Sequence, residues 1–175
     1  MTLMERLVHK YGDRAVRMLD TQYRMHHHIA GWSSAHLYNN KLLAHESVAH
    51  HSLADLPGIQ ADDTTTHAIV FVDTAGCNMP EVQDEDEVSR SNPDEVDIVL
   101  QLIAERRACG LDASHIGVIT PYNYQVELLQ RRLATQHPGI EVKSVDGFQV
   151  SNMCEALVVQ RLILFLLSCR VARRK

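Results

Sequence analysis

An alternation of apolar strand segments and helical segments constrains the fold of this 175-residue chain more than any other feature. The runs at 68–72 (Ala-Ile-Val-Phe-Val) and 116–120 (Ile-Gly-Val-Ile-Thr) are short, rich in β-branched residues and apolar on both faces, which is typical of strands buried in a parallel sheet. Residues 140–145 alternate and predict a third strand. Helical patterns over 92–110 and 122–136 separate the three strands. This order predicts right-handed βαβ crossovers and a parallel sheet.

The helix over 92–110 has the clearest boundary in the chain. Asn92 can cap it, Pro93 suits the first helical position, and Glu95 stands where a capping-box partner belongs. Elsewhere the pattern predicts an amphipathic helix over 1–10 ended by Gly12, a strand at Val16–Leu19 and a helix that follows His26 and runs to about Tyr38. The polar, histidine-rich segment 39–66 predicts irregular structure.

Ligands of open parallel sheets bind beyond the carboxyl ends of the strands. The segments that follow the three strands are therefore the first places to expect a site. They are Thr74–Gly76, Thr120–Tyr122 and Asp146–Gln149.

Composition limits the classes of function. The net charge of −5 does not indicate overall nucleic-acid binding, which usually leaves a basic surface, so any such binding must be local. The four cysteines are widely spaced and predict reduced thiols rather than a zinc or redox motif. The first ten residues lack a signal-peptide core, and the apolar stretch Leu157–Ser168 is too short to span a membrane. We expect a cytoplasmic or nuclear protein that is not secreted and does not bind membranes.

Three segments resemble motifs of one enzyme family in order and spacing. The segment Gln22-Tyr23-Arg24-Met25-His26 resembles motif IV of the superfamily 1B helicases related to the nonsense-mediated decay helicase. The segment Ile119-Thr120-Pro121-Tyr122, with Gln125 one turn later, resembles the nucleic-acid-contacting segment of the same domain. Residues 144–149 (Ser-Val-Asp-Gly-Phe-Gln) resemble the front half of motif V. Residues 72–77 and the acidic loop before Asn92 also resemble the immunoglobulin-mu-binding (SMUBP-2-like) subgroup.

The resemblance implies the fold and the ligands. It implies the second RecA-like domain of such a helicase, an α/β, three-layer fold of the P-loop-NTPase type with a mostly parallel sheet. It implies ATP as the nucleotide and single-stranded RNA or DNA as a partner. No Gly-x-x-x-x-Gly-Lys-Ser/Thr pattern occurs. The P-loop and the Mg²⁺ ligands are therefore expected on a first RecA-like domain, which this sequence does not contain.

The same resemblance implies roles for individual residues. Arg24 is the expected catalytic residue, reaching a γ-phosphate bound mainly by the first domain. Tyr23 is expected to pack on adenine and Gln22 to support that pocket. Asp146 and Gln149 are expected to couple the state of the bound nucleotide to the binding of nucleic acid. The residues expected to contact the nucleic-acid backbone are Thr120, Pro121, Tyr122 and Ser144.

Structural alternatives stay open for these residues. Arg24 could cap a helix or pair with a carboxylate, Tyr23 could belong to the core, and the residues at the strand ends could serve only as strand terminators and helix caps. Asp94–Asp97 looks like a Walker B box, but a helix start explains it better. No metal site is predicted at His26–His28, because adjacent helical residues point about 100° apart.

The likeness ends at Gln149, which predicts a partial helicase domain over 1–149, incomplete at its C-terminus, and a divergent tail over 150–175. Gln149-Val150-Ser151 is what an exon ending in CAG followed by a GTAAGT splice donor encodes, so translated intron is one hypothesis for the tail. Genomic codons that form no donor site would exclude it. The alternative is that Glu155–Val159 supplies the next strand and that Leu162–Leu167 fills the sheet.

The leading functional expectation is a fragment of an ATP-dependent 5′-to-3′ RNA or DNA helicase. It would supply part of the ATP site and of the nucleic-acid groove and have no ATPase activity by itself, so whether the chain is an enzyme stays open. One alternative is a non-catalytic interaction or nucleic-acid-binding module. The other is a truncation product without function.

Overall fold

The computed structural model describes residues 1–83, 89–148, 155–160 and 163–168. The sheet that organises it has five strands in the order β3-β9-β8-β6-β7. The strands are β3 (Ile69–Asp73), β6 (Ile116–Thr120), β7 (Glu141–Ser144), β8 (Glu155–Gln160) and β9 (Ile163–Ser168). Strand β6 pairs in parallel with both β7 and β8, whereas β9 is antiparallel to β8 and β3. Four of the five strands therefore run in one direction, and the α/β, mostly parallel expectation is confirmed.

Two long helices cover this sheet, and their bounds agree closely with the predicted ones. Helix α4 (Pro93–Ala108) and helix α5 (Asn123–Gln136) pack on each other, and α5 also contacts β6 and β7. Their inward residues form one core with the strands, as the 3.6-residue pattern predicts. The fully enclosed members of this core are Val96, Val99, Ile103, Ile116, Val118 and Leu129.

The other helices and strands are shorter, and most of them lie in the N-terminal half of the chain. Helix α1 (Leu3–Tyr11) ends at Gly12 as predicted, and helix α2 (His27–Leu37) ends one residue before Tyr38. A two-stranded parallel pair joins β1 (Thr21–Gln22) to β2 (Leu43–Ala44), and helix α3 (Glu46–Ala49) follows. Strands β4 (Val82–Gln83) and β5 (Arg90–Ser91) form an antiparallel pair. The segment 39–66 is therefore less irregular than its composition predicts.

The predicted strand at Val16–Leu19 is wrong. This stretch has no regular structure, Leu19 is 87% exposed, and the strand forms instead at Thr21–Gln22. A run of apolar residues indicates a strand only if another strand lies beside it, and β2 lies beside β1.

The expectation that β3 is buried on both faces is also wrong. Its exposure alternates, and Phe71 remains 53% exposed. In the sheet order β3 is the first strand, so it pairs on one side only. An edge strand with one wet face needs only every second residue to be buried.

The sheet continues beyond Gln149. Strand β8 lies between β6 and β9, with Val118 opposite Leu157. Strand β8 therefore lies where the alternative to the intron hypothesis expects it, with Glu155–Val159 supplying the next strand of the sheet. Strand β9 then returns between β8 and β3. In the described part of the chain, no helix has both the length and the apolar composition that crossing a bilayer demands.

Candidate nucleotide and nucleic-acid site

The turn after β1 is held by one side chain, that of Gln22. Its Oε1 accepts hydrogen bonds from the backbone N–H groups of Arg24 (2.8 Å) and Met25 (2.7 Å). Its Nε2 donates to the Met25 carbonyl at 2.6 Å. A primary amide has a donor and an acceptor in one plane, so it can satisfy both kinds of backbone group at once. The turn that carries Tyr23 and Arg24 is thereby fixed without being part of a helix or strand.

Arg24 projects from this turn into solvent. The residue is exposed, and within residues 1–83, 89–148 and the two C-terminal strands no salt bridge or side-chain hydrogen bond of Arg24 is formed. The two structural alternatives for Arg24, helix capping and pairing with a carboxylate, therefore have no support in this part of the chain. A guanidinium held on a fixed turn is available to an anion from outside this chain.

Tyr23 is not a core residue. Its ring is 62% exposed and stacks on the His45 ring, with centroids 4.4 Å apart and planes 29° from parallel. His45 follows β2 directly and also caps helix α3 through its Nδ1, which accepts from the Ser47 N–H at 3.2 Å. The pairing of β1 with β2 brings these two rings together across 22 positions of sequence. Nothing in the local sequence around His45 points to this role.

His26, the next polar residue of the motif, is buried and neutral. Its pKa is lowered to about 4 by burial first, and then by repulsion from the neighbouring His27, His28, His50 and His51. Its Nδ1 accepts from the His28 N–H and so caps helix α2. His26 therefore supports the turn rather than offering a charge to a ligand.

The ends of strands β6 and β7 bring four of the predicted residues together. Thr120 and Ser144 are the last residues of their strands and are partners in the parallel register. Thr120 is buried, Pro121 is exposed, and the half-buried Tyr122 precedes helix α5. The parallel arrangement places hydroxyls from two strands at one edge, as the sequence predicts.

A small recess opens beside Thr120. It lies between strand β5, the start of helix α4 and the start of helix α5. The residues that line it are Arg90, Ser91, Asn92, Glu95, Thr120, Tyr122 and Gln125. The buried Thr74, directly after β3, donates to Glu95 at 3.4 Å, so the end of a third strand reaches this recess.

Gln125 replaces the predicted partner in the cap of helix α4. Asn92 caps the helix by accepting from the Glu95 N–H at 3.1 Å, as predicted. The prediction that Glu95 completes a capping box is wrong, because the Asn92 N–H donates to Gln125 Oε1 at 2.7 Å and the Glu95 side chain accepts from Thr74. The Asp94–Asp97 segment is the first turn of α4, as expected from Pro93.

The motif V segment is only partly described. Asp146 is exposed in the turn after β7, which the Gly147 N–H closes by donating to the Ser144 carbonyl at 3.1 Å. Gln149 lies outside the described residues, and so does most of the acidic loop before Asn92 (84–88). The structure therefore places Asp146 beside Ser144 and leaves the expected role of Gln149 a prediction.

Comparison with known proteins gives a consistent match. The profile of the AAA domain family matches residues 1–159. The DNA-binding protein SMUBP-2 of Mesocricetus auratus is 49% identical over 148 residues, which is 85% of this chain and 15% of that protein. The DNA polymerase alpha-associated DNA helicase A of Saccharomyces cerevisiae is 37% identical over 158 residues, which is 85% of this chain and 23% of that protein.

An archaeal relative extends the match. An uncharacterized ATP-dependent helicase of Methanocaldococcus jannaschii is 34% identical over 164 residues, covering 90% of this chain and 24% of its own length. The chain thus spans less than a quarter of the length of each of these relatives. The exposed Arg24 turn and the strand-end hydroxyls lie within the matched segment.

Proposed function

We propose that this chain supplies part of an ATP site and part of a nucleic-acid groove to an ATP-dependent helicase. The chain belongs to the AAA domain family and is a second RecA-like domain of the superfamily 1B helicases. The observation that carries the proposal is the exposed Arg24 on a turn held by Gln22. A long cationic side chain without an ion pair in the described chain, on a rigid support, is suited to an anion contributed by another domain.

The chain's own residues can do only part of the work of an ATPase. ATP would supply the phosphoanhydride bond whose cleavage drives movement, and the P-loop and Mg²⁺ ligands would come from a first RecA-like domain. Arg24 would hold a γ-phosphate oxygen and stabilise the charge that develops there. Because Gln22 fixes the backbone on both sides of Arg24, little ordering of the turn would be needed when phosphate arrives.

The exposed stack of Tyr23 on His45 fits the adenine base. Two rings already ordered in parallel present one more aromatic face, and offset stacking of a further ring is favourable. We therefore propose that adenine stacks on the Tyr23 ring, and that His45 positions the Tyr23 ring.

The strand ends fit the nucleic-acid backbone. Hydroxyl groups of Thr120, Tyr122 and Ser144 and the backbone N–H group of Tyr122 would hold phosphates without reading the sequence of bases, with Pro121 placed between the first two residues. Asp146, in the turn next to Ser144, and Gln149 would connect this contact to the nucleotide. We propose single-stranded RNA or DNA as the partner, 5′-to-3′ movement for the assembled helicase, and a nuclear or cytoplasmic location.

The experiment that tests the proposal is reconstitution of the ATPase. The 175-residue chain alone should not hydrolyse ATP. Mixed with a separately produced first RecA-like domain of a superfamily 1B helicase and single-stranded nucleic acid, it should stimulate hydrolysis. Arg24→Ala should lower that stimulated rate by about a thousandfold, as the loss of other arginine fingers does.

Arg17→Ala is the matched control, because Arg17 is also exposed but lies before β1. It should leave the stimulated rate unchanged. Nucleic-acid-stimulated hydrolysis by the chain alone, or equal stimulation by the Arg24→Ala variant, would refute the proposal.

A non-catalytic interaction module is the second candidate, and helix α1 favours it. None of the residues of α1 is buried, and its exposed apolar residues are Leu3, Met4, Leu7, Val8 and Tyr11. Such a helix face can bind another protein domain. Stable binding to the first RecA-like domain without any ATPase stimulation would favour this function over the first.

A further inference from the structure

Three histidine side chains converge where helix α2 begins and helix α3 ends. His26 caps α2, His27 is its first residue, and His50 follows α3 directly. One ring nitrogen from each residue lies within 4.8 Å of the corresponding nitrogens of the other two. The ring centroids of His27 and His50 are 4.8 Å apart, and those of His26 and His27 are 4.3 Å apart.

A regular helix over the histidine run, which the sequence pattern predicts, would not bring these side chains together. His26 has φ −54° and ψ 148°, so its side chain is not restricted to the helical direction. The third histidine directly follows a different helix and lies 23 positions away from His27. The argument against a metal site at His26–His28 therefore does not apply to the set His26, His27 and His50.

The hydrogen bonding of His27 prepares it to bind a metal ion. Its Nδ1 lies 2.5 Å from the Ala49 carbonyl oxygen, and a carbonyl can only accept, so Nδ1 carries the proton. Nε2 of the neutral ring then has a free lone pair. Metal-binding histidines usually show this arrangement, in which a backbone carbonyl orients the ring through its other nitrogen.

We propose that His26, His27 and His50 bind a divalent transition-metal ion, with zinc as the best fit. Three imidazoles form a donor set that suits zinc and leaves a fourth position for water. Tetrahedral zinc with Zn–N distances of about 2.1 Å would hold the nitrogens about 3.4 Å apart, so the rings must approach one another by side-chain rotation.

The ion would join the start of α2 to the end of α3. His27 already links these two helices through Ala49. A metal bridge to His50 would strengthen that link and would raise the stability of the folded chain, because an ion that binds only the folded state stabilises it. This consequence separates a built site from general zinc binding by the chain's eleven histidines, which would also occur in the unfolded chain.

The test is zinc titration of the full 175-residue chain without a polyhistidine tag. We expect one equivalent to bind, with an increase in melting temperature. His50→Gln and His27→Gln should each weaken binding by about tenfold or more. His9→Gln, on the exposed helix α1, should bind zinc within about twofold of the unchanged chain.

A second measurement needs no variant. Diethylpyrocarbonate modification followed by mass spectrometry should show that zinc protects His27 and His50, while His9 and His36 stay reactive. Protection of other histidines instead, an unchanged affinity in His50→Gln, or a zinc-induced fall in melting temperature would overturn the proposal.

Discussion

Two glutamine side chains form hydrogen bonds with the backbone of a turn and of a helix cap. Gln22 binds the backbone of the turn that carries Arg24. Gln125 accepts from the Asn92 N–H at 2.7 Å and donates to the Asn92 carbonyl at 3.4 Å. The cap at Asn92 is visible in the sequence because all its parts are within three residues. Its partner Gln125 is not, because it lies 33 residues away and only packing of α5 brings it there.

Replacing Gln125 by leucine should destabilise the chain by about 1–3 kcal/mol. Leucine has a similar size, so the main loss is the partner of the Asn92 N–H, which is buried. Equilibrium urea unfolding measures the change. The control is Gln101→Leu on the exposed face of α4, where the cost should stay below about 0.5 kcal/mol. Equal costs at the two positions would show that the Asn92–Gln125 pair adds nothing.

At the scale of elements, the clarity with which the sequence predicts a helix does not indicate how much that helix stabilises the fold. Helix α1 has a complete capping box, with Thr2 and Glu5 bonded reciprocally, yet none of its residues is buried. Helix α5 has no side-chain cap and buries Leu129 and Leu133. A cap contributes about 1 kcal/mol, whereas each large buried side chain contributes about 1.5–3 kcal/mol. We therefore expect α5, and not α1, to determine the stability of the domain.

A matched pair of leucine substitutions tests this expectation. Leu129→Ala should lower the free energy of unfolding by about 2–5 kcal/mol, because it leaves a cavity in the core. Leu7→Ala, on α1, should change it by less than about 0.5 kcal/mol. Chemical unfolding followed by circular dichroism measures both values. A large cost at Leu7 would mean that α1 packs on a surface of the chain in solution.

At the scale of the whole molecule, the sheet depends on a hairpin at its C-terminal end. Strand β6 is flanked by β7 and β8, and β9 joins β8 to β3. If β9 were absent, β3 and β8 would both expose unpaired backbone groups, which favours aggregation. Strand β3 and the last two strands are therefore expected to fold together.

A proline in β9 tests whether the hairpin is part of the cooperative unit. Leu166 pairs with Val70 on one side and Leu157 on the other. Leu166→Pro removes a backbone donor from an internal strand and should cost about 3 kcal/mol or more, with loss of a single melting transition. Leu166→Ala keeps the donor and serves as the control. If the proline variant melts like the alanine variant, β9 does not contribute to the sheet.

The sequence by itself determined the α/β class and the positions of α4, α5, β6 and β7. These features depend on periodicity, capping and short motifs, whose residues are close together in the chain. Tertiary structure alone decided that β3 is an edge strand, that His45 stacks on Tyr23, that Gln125 completes the Asn92 cap and that His50 joins His26 and His27. Each of these contacts joins residues more than 20 positions apart, and only the packing of the elements can specify such contacts.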